Sequence, residues 1–275
     1  MIEVIRPGPL TTLQDHGRPG YAHLGVPRSG ALDAPAVRLA NRLVGNPSSA
    51  AVLETTLIGC AVRFTAPAVI AVTGAPAPVT VDGARLSGVI EVPAGAVVEI
   101  GRASAGVRSY LALAGGIDVA PVLGSRSTDT LSGLGPPRLA DGMTLPVGRP
   151  YRDPAWGADL LPLPPAEILL GMRLGPRDDW VDVEALFARS WTVSPVSNRV
   201  AARLSGSSLP RRREGELASE GLVLGAVQVP ADGQPLIFLA DHPTTGGYPV
   251  VGVVDDVTPL AQARPGSTVR FRDLG

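Results

Sequence analysis

Apolar and polar residues alternate in short runs along most of the chain, and glycine or proline closes each run after a few residues. VRFTAPAVIAVTG (62–74), APVTVDG (77–83), GVIEVPAGAVVEIG (88–101) and VRSYLALAGG (107–116) all follow this pattern. A period of two bounded by turn formers marks half-buried strands, and strands at such short intervals predict an antiparallel sandwich or barrel. Helical spacing shows in two windows. Asp33 is a good N-cap for APAVRLANRLVG, which places Ala36, Leu39, Ala40 and Leu43 on one face and closes at Gly45-Asn46. The second window is DDWVDVEALFARS (178–190), opened by Asp178 or Asp179, with Trp180, Val183 and Phe187 on one side. Each helix is expected to lay one apolar stripe on a sheet. The fold class is therefore mainly β with a few helices.

The segment PVGRPYRDPAWGADLLPLPP (146–165) is dense in proline and reads as a connector. The expected organisation is a β-rich N-terminal domain over 1–150, a Pro-rich connector over 151–165 and a C-terminal β domain over 166–275. The halves share a loose pattern, each opening on a glycine-proline pair (Gly8-Pro9, Gly175-Pro176) before a helix and strands, which suggests duplication.

Composition narrows the chemistry. At 275 residues the chain buries a sizeable core, and with aromatics at 4% that core is built from Val, Leu, Ala and Ile. A formal charge of −1 argues against a nucleic-acid or anionic-membrane partner, whose footprint is basic. All 24 basic residues are arginines. These residues therefore supply no Schiff-base lysine, no Walker-type phosphate-binding lysine and no lysine to carry biotin. The single cysteine, Cys60, excludes an intrachain disulfide and is expected to be a small core residue in a reducing compartment. MIEVIRPGPL lacks the apolar stretch of a signal peptide, and no apolar run reaches the roughly 20 residues that span a bilayer. The expected location is cytoplasmic.

Four polar segments resist explanation by packing. LQDHGRPGYAHLGVPRSGALD (13–33) sets Gln14, Asp15, Arg18 and Ser29 among glycines and prolines. GSRSTD (124–129) gathers hydroxyls, Arg126 and Asp129; it admits a turn held by its own side chains or a ligand contact through Arg126. SPVSNRVAARL (194–204) carries Asn198, Arg199 and Arg203. The two arginines are four apart and either converge on one anion or form a solvated pair. LASEGLVLGAVQVPADGQPLIFLADHPTTGGYP (217–249) interleaves Glu220, Gln228, Asp241, Thr245, Gly246, Gly247 and Tyr248 with strand residues, and its Thr-Thr-Gly-Gly loop resembles an anion-binding nest. No metal is expected, because His16 and His23 are seven apart and His242 stands alone. No G-x-S-x-G elbow is present.

These segments carry a resemblance. PGPLTTLQDHGRPGYAHLGVPRSGALD, LANRLVGNPSSAAVLE, GSRSTD, SNRVAARLSG, SEGLVLGAVQVPADGQPLIFLADHPTTGGYP and LAQARPGSTVRF, in that order, resemble the allophanate hydrolase subunit 2 family, also called the KipA, 5-oxoprolinase C-subunit or biotin-dependent carboxyltransferase family. The family commonly has aspartate where this chain has Asn198 and glycine where it has Ala201. The resemblance implies a cyclophilin-like β-barrel architecture in two barrel-like halves. It also implies partnership with a KipI-type protein, the B subunit of 5-oxoprolinase. Members serve ATP-dependent 5-oxoprolinase, a hydrolase that also needs a LamB/YcsF-type A subunit and opens pyroglutamate to glutamate. Others form the carboxyltransferase of urea carboxylase, or regulate a sensor kinase through the KipI-type partner. The absence of a lysine for biotin, and of a biotin carboxylase module, favours the 5-oxoprolinase setting, with ATP at the level of the complex and a small amide as substrate.

On that reading Asp15, Arg18, Glu220 and Asp241 are candidate catalytic residues. Gln14, Ser29, Arg126, Asn198, Arg199, Gln228, Thr245, Gly246, Gly247 and Tyr248 are candidate substrate contacts. Arginines suit a substrate carboxylate, carboxylates an amide N–H or a proton, and the glycine loop a developing oxyanion. Replacing Arg18 or Arg199 by alanine is expected to cut turnover and leave the fold intact.

Overall fold

The computed structural model describes residues 1–155, 165, 167–213, 215 and 217–275; residues 156–164 of the sequence-predicted connector lie outside this set. The chain forms two compact units. The first comprises Met1–Arg18, Asp33–Asp129 and the described part of Gly133–Pro164; the second comprises Pro19–Leu32, Thr130–Ser132 and the described part of Pro165–Gly275. Two polar segments of the first 132 residues thus fold with the C-terminal half of the chain.

In the first unit two antiparallel sheets share one core. The six-stranded sheet runs in the order Thr144–Leu145, Ile2–Arg6, Ala61–Phe64, Val97–Ile100, Val79–Val81, Ala84–Leu86. The five-stranded sheet runs Thr11–Gln14, Val52–Thr56, Arg108–Leu113, Ala68–Gly74, Val89–Val92. Alternation puts Ile2, Val4, Val62, Phe64 and Val98 from one sheet against Leu13, Leu53, Ile70, Leu111 and Leu113 from the other. Cys60 lies in the same core, and burial pushes its thiol up to about 12. It is an unreactive core residue, as its strand-like setting suggested.

The other face of the five-stranded sheet is polar. Thr12, Glu54, Tyr110 and Thr73 are successive cross-strand partners and so form one row. The helix Ala34–Leu43 covers this face: Thr73 donates to the Ala36 carbonyl at 2.7 Å, and the Asp33 amide donates to the Tyr110 hydroxyl at 2.9 Å. The helix follows its sequence signals. Asp33 accepts from the Ala36 amide at 3.0 Å, and Gly45 just past the end takes a left-handed φ of 74°.

In the second unit seven strands close into a barrel in the order Glu167–Leu174, Val250–Val254, Ala226–Gln228, Leu236–Phe238, Ala201–Ser205, Trp191–Val193, Thr268–Asp273. Closure comes from the parallel pairing of Glu167–Leu174 with Thr268–Asp273; the other pairs are antiparallel. Ile168, Leu170, Met172, Trp191, Leu204, Val227, Ile237, Val251, Val269 and Phe271 belong to its main core. The second helical window divides. Asp178–Trp180 is a single 3-10 turn, Val181 is extended, and the α-helix is Val183–Ala188 with Asp182 as its N-cap. The extended Val181 pairs with Arg211 in a β-bridge, so a helix opened at Asp178 cannot run through it. The barrel-like halves of the sequence reading thus differ in kind: a closed barrel in the second unit, two sheets over one core in the first.

Candidate functional site

In the first unit Asp15 is a buried carboxylate, and Gln14, Arg18 and Arg126 lie on the segments it ties together. Asp15 Oδ1 accepts from the Ser125 hydroxyl at 2.6 Å, the Ser127 hydroxyl at 2.6 Å and the Gly17 amide at 2.8 Å. Its Oδ2 accepts from the Arg126 amide at 2.6 Å. Ser127 Oγ in turn accepts from the Asp15 amide at 2.9 Å, so segments over a hundred residues apart are clamped on one acid. Gln14 donates through Nε2 to Thr12 Oγ1 and the Thr128 carbonyl, both at 3.0 Å. The guanidinium of Arg18, buried, donates to the carbonyls of Val122 and Ser127. The Arg126 side chain turns away to the Val119 carbonyl at 2.6 Å and to Asp118 at 2.7 Å.

A second buried carboxylate organises the second unit. Arg199 meets Asp241 bidentately, Nε to Oδ2 and a terminal nitrogen to Oδ1, both at 2.9 Å, and the same guanidinium donates to the Gly30 carbonyl at 2.6 Å. Asp241 also accepts from Ser29 Oγ at 3.1 Å and from the Thr130 amide and hydroxyl at 2.9 and 2.7 Å. Arg199 and Asp241 are 1% and 0% exposed as side chains, so each charge relies on its buried partners rather than on water. Burial pushes the Asp241 carboxyl up, but the Arg199 charge, its hydrogen bonds and the Thr130 donors outweigh that and hold it below the usual carboxylate range. Ser29 adopts a left-handed φ of 52°, a strained conformation for a serine, while it donates to this acid.

The remaining candidates meet at an exposed edge of the same unit. Glu220–Gly221 pairs antiparallel with Thr245–Gly246, and the Leu222 amide extends the ladder to the Thr244 carbonyl at 2.9 Å. Leu222 packs with Ala201, Ala226, Leu236, Phe238 and Val250, a cluster separate from the main barrel core. Gln228 donates through Nε2 to the Tyr248 carbonyl at 2.8 Å. Thr245, Gly247 and Tyr248 are exposed. Arg177 clasps Glu220, with Nε at 3.1 and 3.3 Å from its two oxygens and a terminal nitrogen on Oε1. The hydrogen bond and charge of Arg177 hold the Glu220 carboxyl below its ordinary value, and Glu220 raises Arg177. A Cβ on Gly246 would stand 2.9 Å from both Gln228 Nε2 and Leu222 Cδ1. Gly246→Ala is therefore expected to cost about 1 kcal/mol in thermal unfolding and to shift the Gln228 side-chain amide resonances. Unchanged resonances would contradict this packing.

Two sequence expectations need correction. Arg199 and Arg203 do not converge: Asn198 accepts from the Val200 and Ala201 amides at 2.8 and 3.2 Å, and this turn sends Arg199 inward while Arg203, on the strand, is exposed. The 244–247 loop is not a nest, because Thr245–Gly246 is extended and paired and neither Gly246 nor Gly247 has a left-handed φ. Arg177 and Thr130 escaped sequence reading, since each meets its carboxylate across 43 and 111 residues. One signal was available: Leu-x-Asp-His occurs twice, at Leu13–His16 and Leu239–His242, and both aspartates are the buried hubs. His242 sits against Phe238, with ring centroids 6.2 Å apart, and its Nδ1 donates to the Pro243 carbonyl at 2.7 Å. Among the described residues no group of three or more His, Cys, Asp or Glu is placed to hold a metal ion, and no helix is long and apolar enough to cross a membrane.

The chain thus combines a two-sheet unit and a closed-barrel unit, each holding one buried Leu-x-Asp-His carboxylate. The chain belongs to the family of the carboxyltransferase domain, subdomain A and B, whose pattern matches residues 24–273. It is 39% identical to the C subunit of 5-oxoprolinase from Escherichia coli (strain K12), over 98% of this chain and 90% of that protein. It is also 33% identical to urea amidolyase of Saccharomyces cerevisiae, over 99% of this chain but 16% of that protein. Among solved structures, the urea amidolyase of K. lactis superimposes with a TM-score of 0.91 at 32% identity, covering 100% of this chain and 19% of that one.

Proposed function

We propose that the chain is the C subunit of an ATP-dependent 5-oxoprolinase, which opens pyroglutamate to glutamate together with KipI-type and LamB/YcsF-type subunits. The observation that carries this reading is the 39% identity to a 5-oxoprolinase C subunit along nearly the full length of both chains. Ring opening adds water across the lactam: a C–O bond forms at the carbonyl, the C–N bond breaks, and the nitrogen gains a proton. On this reading Glu220, ionised and partly exposed, accepts from the lactam N–H, and Thr245 and Tyr248 line the edge beside it. Gln228 fixes the Tyr248 backbone. Asp241, with Ser29, Asn198 and Arg199, shapes loops of the same unit, and Asp15, with Gln14, Arg18 and Arg126, shapes loops of the first unit. ATP acts at the level of the complex, since these residues contain no lysine for a phosphate loop.

The similarity to urea amidolyase supports a second reading, the carboxyltransferase half of a biotin-dependent urea or amide carboxylase. It requires a biotin carried elsewhere, because no lysine is present to bear it. The two separate in one assay. The chain, its KipI-type and LamB/YcsF-type partners, ATP and 5-oxoproline are expected to release glutamate, with loss of turnover when the chain is omitted. Bicarbonate-dependent carboxylation of urea with a biotin carboxylase, and no glutamate from 5-oxoproline, would establish the second reading instead.

A further inference from the structure

We infer that Arg177 is a positioning residue that holds the Glu220 carboxylate, at the 220–221/245–246 edge, as the hydrogen-bond acceptor for an N–H of an amide substrate. This rests on the proposal that Glu220 meets substrate. Exposed ion pairs usually contribute little, but three features set this one apart. It is a fork of Nε and a terminal nitrogen on one carboxylate, about a third exposed on each side. Its cation is rigidly mounted. The Gly175 amide donates to the Val251 carbonyl at 3.0 Å and the Arg177 amide to the Val250 carbonyl at 3.3 Å, both on a barrel strand, while the Arg177 carbonyl accepts from Trp180 at 3.1 Å. Its anion sits on a ladder of two residues per strand, anchored on one side by Leu222, that leaves the Glu220 side chain itself to be oriented by Arg177.

The guanidinium therefore decides where the carboxylate points. It also favours the charged form: the hydrogen bond and charge of Arg177 hold the Glu220 carboxyl below its ordinary value, and a carboxylate has no proton to donate. Among the described residues, Asp179 reinforces Arg177 from the 3-10 turn Asp178–Trp180, and Arg213 pairs with Asp179. Glu220 in this setting accepts rather than acts as a general acid, which suits a substrate that offers an N–H.

Two measurements test this. In the full chain, labelled at the glutamate carboxyl carbons, NMR titration is expected to place Glu220 below the ordinary value of 4.5. Arg177→Met moves its midpoint up towards that value, and Arg177→Lys moves it only part of the way. In the assembled complex at neutral pH, Arg177→Met and Glu220→Gln each lower kcat/KM by roughly 10- to 100-fold, the scale of one charged hydrogen bond, and the double variant does no worse than Glu220→Gln alone. Identical Glu220 titrations in wild type and Arg177→Met, or multiplying losses in the double variant, would overturn the inference. If the wild-type complex leaves 5-oxoproline untouched, the proposed function falls, while the titration still decides whether Arg177 sets the state of Glu220.

Discussion

Arg199→Met is expected to destabilise the protein by about 3–5 kcal/mol, because it leaves Asp241 charged, fully buried and without its cation. The thermal midpoint should fall by roughly 10 °C. Loss on this scale replaces the sequence-based expectation that a substitution at this arginine spares the fold. Arg199 also ties down the Gly30 carbonyl, and Asp241 receives Ser29 and Thr130, so the substitution loosens two segments distant in sequence. The pH dependence checks the cause. In the wild type the folded Asp241 carboxyl lies below its ordinary value of 3.8. The stability it confers is therefore present above that pH and is lost as the pH falls through the folded value. In Arg199→Met burial acts without the opposing charge and raises the carboxyl instead. The deficit relative to wild type should then shrink as the pH is lowered from neutral, and Asp241→Asn added to Arg199→Met should recover part of the stability. A loss below about 1 kcal/mol, the scale of a surface ion pair, would mean that the pair is not buried as described.

Asp15→Asn is expected to cost about 3 kcal/mol, although it changes the side-chain shape hardly at all. Asp15 accepts four hydrogen bonds, from two hydroxyls and two backbone amides. An asparagine amide turns one accepting face into a donor, so a buried N–H or O–H loses its partner and the remaining bonds lose their charge assistance. Ser125→Ala removes one donor and should cost clearly less. Chemical denaturation of the three chains measures both differences. Equal stability of wild type and Asp15→Asn would show that Asp15 is not clamped by the 125–127 loop.

What the sequence disclosed and what it withheld have one physical origin. The helix from Asp33 was legible because cap, apolar stripe and Gly45 stop are all local. The helix at Val183 was displaced because Asp178, Asp179 and Asp182 are equally good caps in sequence. Only the pairing of Val181 with Arg211, 30 positions away, decides among them. The polar segments stood out because glycine-rich, charged stretches bury little apolar surface. Their internal geometry did not: whether Arg199 points inward depends on the turn that Asn198 makes, and where the Glu220 carboxylate points depends on Arg177. Most of all, Pro19–Leu32 and Thr130–Ser132 fold with the C-terminal half, an exchange no local pattern records. Ordered family likeness along the whole chain reached further than periodicity, because it carries long-range constraints that a single segment lacks.

The candidate residues divide into buried carboxylates that shape loops and an exposed edge, Glu220–Gly221 with Thr245–Gly246, that we propose meets the substrate. Hydrogen exchange of the assembled complex, with and without 5-oxoproline, tests that division directly. Slower exchange on adding 5-oxoproline, concentrated at 219–222 and 244–248 and absent with urea, is the predicted result. Unchanged exchange at both segments, with protection confined to 13–18 and 124–129, would contradict it.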